Sequence, residues 1–243
     1  MGIFRTKPTV GLTDNPGDAA PGRHSWYGDA YIVPVETPRV ALAAEGSYFT
    51  GVNATLATAI AGHVAPALAD NDPLPTKSLL HLYNAGQRWI AFDYLKLTEI
   101  VVNASSTSTD FTVYVDNLGS SGRTSGGTAI TANNVRSDNP FTTGATVYFG
   151  AVVTAAAAAA KKIAQWTVRP VIAVAEDQYT FKFGADPMLN SSVTHIGTAV
   201  ANLLVNMPPV IISPGGNMYF CFSGPSGATT AATHEFEFGF WER

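Results

Sequence analysis

The sequence predicts an all-β protein: an antiparallel β-sandwich, jelly-roll-like, behind an extended Pro/Gly-rich N-terminal arm. Three observations lead there. From Leu79 onward the chain is a series of short runs rich in β-branched and aromatic residues, among them "DFTVYVDN", "TVYFGAVV", "QYTFKFG" and "NMYFCFSG", separated by Gly, Pro, Asn and Ser clusters. No alternation of strands with long helical patterns appears, which argues against a parallel α/β sheet. Finally, the last residues read "HEFEFGFWER", with Phe236, Phe238 and Phe240 alternating with Glu235, Glu237 and Trp241. Successive side chains of a strand point to opposite faces. The phenylalanines are therefore expected in the core, with Glu235, Glu237 and Trp241 facing solvent or a neighbouring subunit.

The elements follow in order. Residues 1–40 hold many Pro and Gly residues and cannot form a long helix, because Pro lacks the backbone donor and fixes φ. They read as an extended arm. Trp26, Tyr27 and Tyr31 give it aromatic surface to dock on its own domain or on a neighbour, which makes them interface candidates. Residues 41–243 read as a single sandwich domain. Within it, 53–69 is the best helix candidate, with Leu56, Ile60 and Val64 four apart, although Gly62 and Pro66 shorten it and an irregular loop is the alternative. Then "LLHLYNAGQRWIAFDYLKLTEIVV" gives a strand, a turn at Asn84-Ala85-Gly86 and a longer strand, with His81 on the polar side of the first. Phe111, Val113 and Val115 share one face of the next.

The run Asn117 to Thr131 is the most glycine-rich piece. It lacks both the P-loop lysine and the G-x-G-x-x-G spacing, and a strand follows it, so it reads as a tight loop with glycines at positive φ. Arg123 within it is either solvated or pairing across a contact, and counts as an interface candidate. Ala155 to Ala160 lies between β-like runs and reads as a strand end or connecting turn rather than a helix, since so short a segment barely nucleates. Pro208-Pro209 and Gly215-Gly216 set up an extended approach and a tight reversal.

Composition bounds the function. Apolar residues make up 46% of the 243 and aromatics 11%, while charged residues reach only 13%, about half the usual share for a soluble domain. A formal charge of -4 offers no basic face for nucleic acid. No apolar run is long enough to span a bilayer, and no export signal is recognisable. Cys221 is the only cysteine, which rules out an internal disulfide and a multi-thiolate metal site. The five histidines show no ligand spacing, and neither a G-x-S-x-G elbow nor an H-E-x-x-H motif occurs. Carboxylates such as Asp93, Glu99, Asp116 and Asp177 are expected at strand ends or turns, where solvation and capping account for them. No catalytic residue, metal ligand or cofactor site is assigned.

The order "SYFTGVNATLATAIAGH", "LLHLYNAGQRWIAFDYLKL", "VDNLGSSGRTSGGTAITANNVRSDN", "VRPVIAVAEDQYTFKFG", "PPVIISPGGNMYF" and "HEFEFGFWER" resembles structural proteins of tailed bacteriophage particles, from about Ser47 onward. The resemblance implies a non-enzymatic virion component, a capsid decoration, spike or minor capsid protein. It would be made in the host cytoplasm and work as a homo-oligomer, preferably a trimer, in contact with the major capsid protein or other virion proteins. The alternative is a carbohydrate- or receptor-binding module of such a particle, using Trp26, Trp89, Trp166 or Trp241 as a stacking platform. A polysaccharide hydrolase is the third class, and it requires two acids in one groove.

Overall fold

The computed structural model describes residues 23–24, 30–31, 38–53, 55, 58–62, 76–101, 109–155, 160–168, 175–184, 202–223 and 232–243. The chain divides into two compact units, Met1–Ala41 and Leu42–Arg243. In the first, β1 (Arg23–His24) pairs antiparallel with β2 (Ala30–Tyr31). Trp26 and Tyr27 lie outside the described residues, as does most of the expected arm.

A short helix, α1 (Pro38–Glu45), was not foreseen in the sequence. Its signals are nevertheless there. Proline suits the first helical position, and Gly46 at φ 72° ends the helix, with Gly46 N donating to Ala43 O and Ser47 N to Leu42 O.

The second unit continues with β3 (Tyr48–Val52), β4 (Ile60–Ala61), β5 (Lys77–Asn84), β6 (Ile90–Val101) and β7 (Thr109–Asp116). Next come β8 (Arg123–Ile130), β9 (Asn133–Asn134), β10 (Ala145–Thr154), β11 (Lys161–Val168) and β12 (Gln178–Phe183). The last are β13 (Asn202–Met207), β14 (Val210–Ile212), β15 (Asn217–Ser223) and β16 (Thr233–Glu242). One sheet has the order β11-β7-β15-β5-β10-β8, and the other β13-β12-β6-β16-β3-β9, with β14 added on β6 and β4 on β16. Pairing is antiparallel throughout except between β12 and β13. The predicted all-β sandwich is the observed fold.

Rings hold the two sheets together. Phe111 of β7 touches Tyr179 and Phe181 of β12 across the interface, and Phe220, Phe222 and Trp166 within its own sheet, at centroid separations of 4.8 to 5.8 Å. Nearer the other end, Phe149 of β10 stacks on Phe236 of β16 at 4.0 Å. Phe236, Phe238 and Phe240 are buried and stack on one another along β16, so the alternation read in the closing residues is the observed strand. Cys221 is buried in β15.

A bulge completes the fit. Gly150 and Ala151 interrupt the register of β10 with both its neighbours, and Gly150 sits at φ 112° where β4 approaches so closely that a Cβ would lie 2.6 Å from Ile60 Cγ2. Only glycine fits there.

Four sequence expectations need correction or refinement. The 53–69 helix is absent from its described residues: Ile60–Ala61 is a strand paired with Thr233 and His234, and Asn53 Nδ2 donates to Thr58 O. Pairing with β16 outweighs a helical stripe made largely of small residues, while Leu56 and Val64 lie outside the described residues. The glycine-rich run is a loop only to Gly122. Beyond it β8 forms, carrying Gly126 and Gly127 at φ 70° and 68° inside the strand. His81 is fully buried rather than on a polar surface. Asp93, Glu99 and Asp177 are buried too. Ala155 closes β10 and Ala160 precedes β11, with 156–159 outside the described residues.

Phe238 is fully buried between Phe236 and Phe240 and against Phe92. Phe238→Ala is expected to lower stability by about 3–5 kcal/mol in urea titration.

Candidate functional site

The two outer faces of the sandwich differ in character. On the first sheet, register places Lys162, Tyr114, Tyr219, His81 and Tyr148 side by side across five strands, on the face opposite the core. Cations close both ends of this row: Lys162 Nζ lies 6.0 Å from the Tyr114 ring, and the Arg123 guanidinium lies 3.8 Å over the Tyr148 ring. Arg123 Nε also donates to Gly126 O. Within its own chain Arg123 thus engages both the Tyr148 ring and the Gly126 carbonyl.

The middle of the row is sealed by a polar network. Asp116 accepts from Asn217 Nδ2 at 2.8 Å and from the Tyr219 hydroxyl at 2.6 Å. Asn217 Nδ2 also donates to Ser120 O, which leaves its Oδ1 to accept from Gly122 N and from His81 Nε2, each at 3.0 Å. That assignment makes Nε2 the protonated nitrogen of a neutral His81, while its Nδ1 has no partner among the described residues. Burial pulls the His81 pKa from 6.5 down to about 4, against the opposing effects of the Asn217 hydrogen bond and the Asp116 charge. Burial and the bond to Asp116 raise that of Tyr219. Chemically this network pins the Asn117–Gly122 loop to the sheet. Its members lie up to 136 residues apart, and no local motif announces them.

The second sheet presents the more open face. The β6–β16 ladder continues past Glu242 and Ile90, with Trp89 and Arg243 exchanging backbone hydrogen bonds of 2.6 and 2.9 Å. By alternation Trp89, Ala91, Trp241 and Arg243 share the outer face, and Ile211 joins them opposite Ala91. Trp89 and Ile211 are each 58% exposed. Trp241 is only half-exposed, because it stacks on Tyr48 at 6.5 Å. Beneath, the Tyr48 hydroxyl donates to Asp93 at 2.6 Å, and a Cβ on Gly239 would meet the Tyr48 hydroxyl and Tyr94 Cε1 at 2.5 Å each. The tyrosines lie directly on the strand.

Neighbouring groups add charge. Arg243 pairs with Glu45 at 3.2 Å, both well exposed, and the Arg88 guanidinium lies 5.4 Å from the ring of exposed Phe141. Buried Glu242 accepts from Thr143 Oγ1 and Gly144 N, fixing the loop that carries Phe141 to the end of β16. Farther along the same face, a cavity of about 200 Å³ is lined by Val52, Asn53, Lys96, Thr98, Glu235 and Glu237, together with Phe236. The Tyr94 hydroxyl donates to Glu237 at its edge.

Of the sequence candidates, Trp241 lies on this face and Arg123 on the other sheet, so the fold does not bring them together. The backbone of Tyr31 is in β2, and its side chain is outside the described set. Trp166 packs against Phe111 in the core, while Trp89 is the described tryptophan that stands open. Among the described residues no group of His, Cys, Asp or Glu is arranged to hold a metal ion, and no helix is long and apolar enough to cross a membrane. Comparison with protein-family models, with curated proteins and with solved structures finds no match to this chain.

Asp116→Ala would leave Asn217 Nδ2 and the Tyr219 hydroxyl short of an acceptor in a buried site. It is expected to cost about 1–3 kcal/mol per orphaned group in denaturant titration, and to bring the His81 imidazole signals into slow heterogeneity by NMR as the loop loosens.

Proposed function

We propose that this chain is a non-enzymatic structural component of a bacteriophage particle, a capsid decoration, spike or minor capsid protein, residing in the virion after synthesis in the host cytoplasm. It works through contacts with copies of itself and with the major capsid protein or other virion proteins. The observation that carries this reading is the surface at one end of the second sheet, where Trp89, Ile211 and Phe141 stand exposed beside Arg88 and Arg243 on a backbone fixed by ladder hydrogen bonds. Trp, aromatic and Arg side chains on a rigid support are the composition of interface hot spots. Glu45 beside Arg243 gives the surface both signs of charge, so a second copy of the chain meets it with complementary groups. Cyclic assembly, with the trimer preferred, repeats one such contact around an axis. The low charge and the resemblance in strand and turn order add support.

Light scattering after size exclusion at micromolar concentration is expected to give a discrete oligomer. Trp89→Ala is expected to shift it toward monomer, weakening association by about 2 kcal/mol or more, with an unchanged melting temperature. A wild-type monomer together with absence of the chain from purified particles by mass spectrometry would defeat the proposal.

The same exposed Trp89 favours a second reading, the carbohydrate-binding module, because a flat ring with hydrogen-bonding arginines beside it suits a sugar face. Glycan-array binding lost on Trp89→Ala, in a chain that stays monomeric, would select it.

A further inference from the structure

At the far end of the second sheet, three titratable side chains stand in one row pointing into the sandwich. Beyond the pairing of Gln178 with Thr98, the β6–β12 ladder carries Glu99 opposite Asp177, with Glu99 N donating to Asp177 O at 2.9 Å and Glu176 N to Glu99 O at 2.6 Å. On the other side of β6, His234 of β16 is the register partner of Glu99. Glu99 is 2% exposed, and Asp177 and His234 are not exposed at all. Two carboxyls directly opposite on one face of an antiparallel pair repel when both are charged, and burial magnifies the repulsion.

Glu99 and His234 find little relief around them. The Tyr179 hydroxyl donates to Glu99 Oε2 at 3.4 Å. His234 meets the edge of Phe222 at 5.1 Å, and neither of its ring nitrogens has a hydrogen-bond partner among the described residues. The other described charges on the packed strands, Lys96, Lys182, Glu235 and Glu237, alternate onto the outer face. Glu176, exposed at the adjoining turn, holds φ 76°, a left-handed conformation that a non-glycine residue adopts at a cost.

We infer that Glu99, set directly opposite Asp177, forms a proton-controlled latch that keeps this end of β6, β12 and β16 closed while Glu99 is protonated and loosens it when Glu99 ionises. Burial, reinforced by the Asp177 charge and opposed by the Tyr179 bond, pushes Glu99 up from 4.5 to about 8. The closed state therefore holds a proton that an opened, solvated Glu99 would release, so closure weakens as pH rises from about 4.5 to 8 and levels off above. Burial pulls His234 down from 6.5 to about 4, so that residue weakens closure as pH falls through the same interval. The two effects oppose each other below 6.5. The net loss belongs to the window from 6.5 to about 8.

Hydrogen exchange by mass spectrometry on the full chain, corrected for the intrinsic pH dependence of exchange, tests this on peptides covering 95–101, 178–183 and 233–236, with β5 and β10 as the internal reference. Protection of the three peptides is expected to fall about tenfold between pH 6.5 and 8, less than one full proton would give, because Glu99 is half-ionised at the upper end and His234 opposes at the lower, while the reference holds. Glu99→Gln is expected to abolish the fall. Should that variant not fold, Asp177→Asn, which removes the opposing charge, is expected to shrink it at least threefold. Wild-type protection that does not change across the window, or a fall that persists undiminished in whichever of the two variants folds, would overturn the latch.

Discussion

The contact on which the rest of the structure depends is the aromatic seam between the two sheets. Phe111 meets rings from both, and Phe149 on Phe236 repeats the arrangement farther along. Sheets pack about 10 Å apart, and large rings fill that gap from either side. Each buried ring removes enough apolar surface from water to contribute roughly 1.5–3 kcal/mol. Fixing the seam fixes the register of β7, β10, β12 and β16, because a slip of one residue would turn every ring outward. Both outer faces are positioned by that choice.

Much of the fold could be read from the sequence because strand periodicity is a local signal. The ring alternation of Phe236, Phe238 and Phe240, the turn after Asn84 and the strand from Asn217 each rest on residues within a few positions of one another in the chain. What escaped notice depends on distant partners. His81 looked polar because its neighbours on the strand alternate with it, yet its environment is set by Asn217 and Tyr219 on β15. Glu99 lies in a strand-like run and Asp177 beside a turn, and only the β6–β12 pairing turns both inward. The helix α1 could be read from its proline and glycine, but a proline-rich context masked it. Trp241 lies on an outer face, while nothing local distinguishes exposed Trp89 from Trp166, which packs against the core.

The polar groups of the interior are divided unequally. On the first sheet Asp116, Asn217 and Tyr219 each have a good partner and hold the Asn117–Gly122 loop, while His81 Nδ1 has none among the described residues. On the second sheet Glu99 has one long hydrogen bond and His234 has none among the described residues. Satisfied networks specify a single arrangement, and poorly satisfied ones leave a region near the limit of its stability. The sandwich thus combines a stiff face with one end that responds to its surroundings.

The edge strand β8 has a further consequence. Sheet edges invite other strands to add on, which is how β proteins pass into fibres. In β8 the left-handed Gly126 and Gly127 and the adjoining bulge at Gly150 twist the backbone out of the flat path that an incoming strand would follow. At this edge continuous sheet growth between molecules is closed off, so crowding many copies at high local concentration carries less risk of amyloid-like polymerisation.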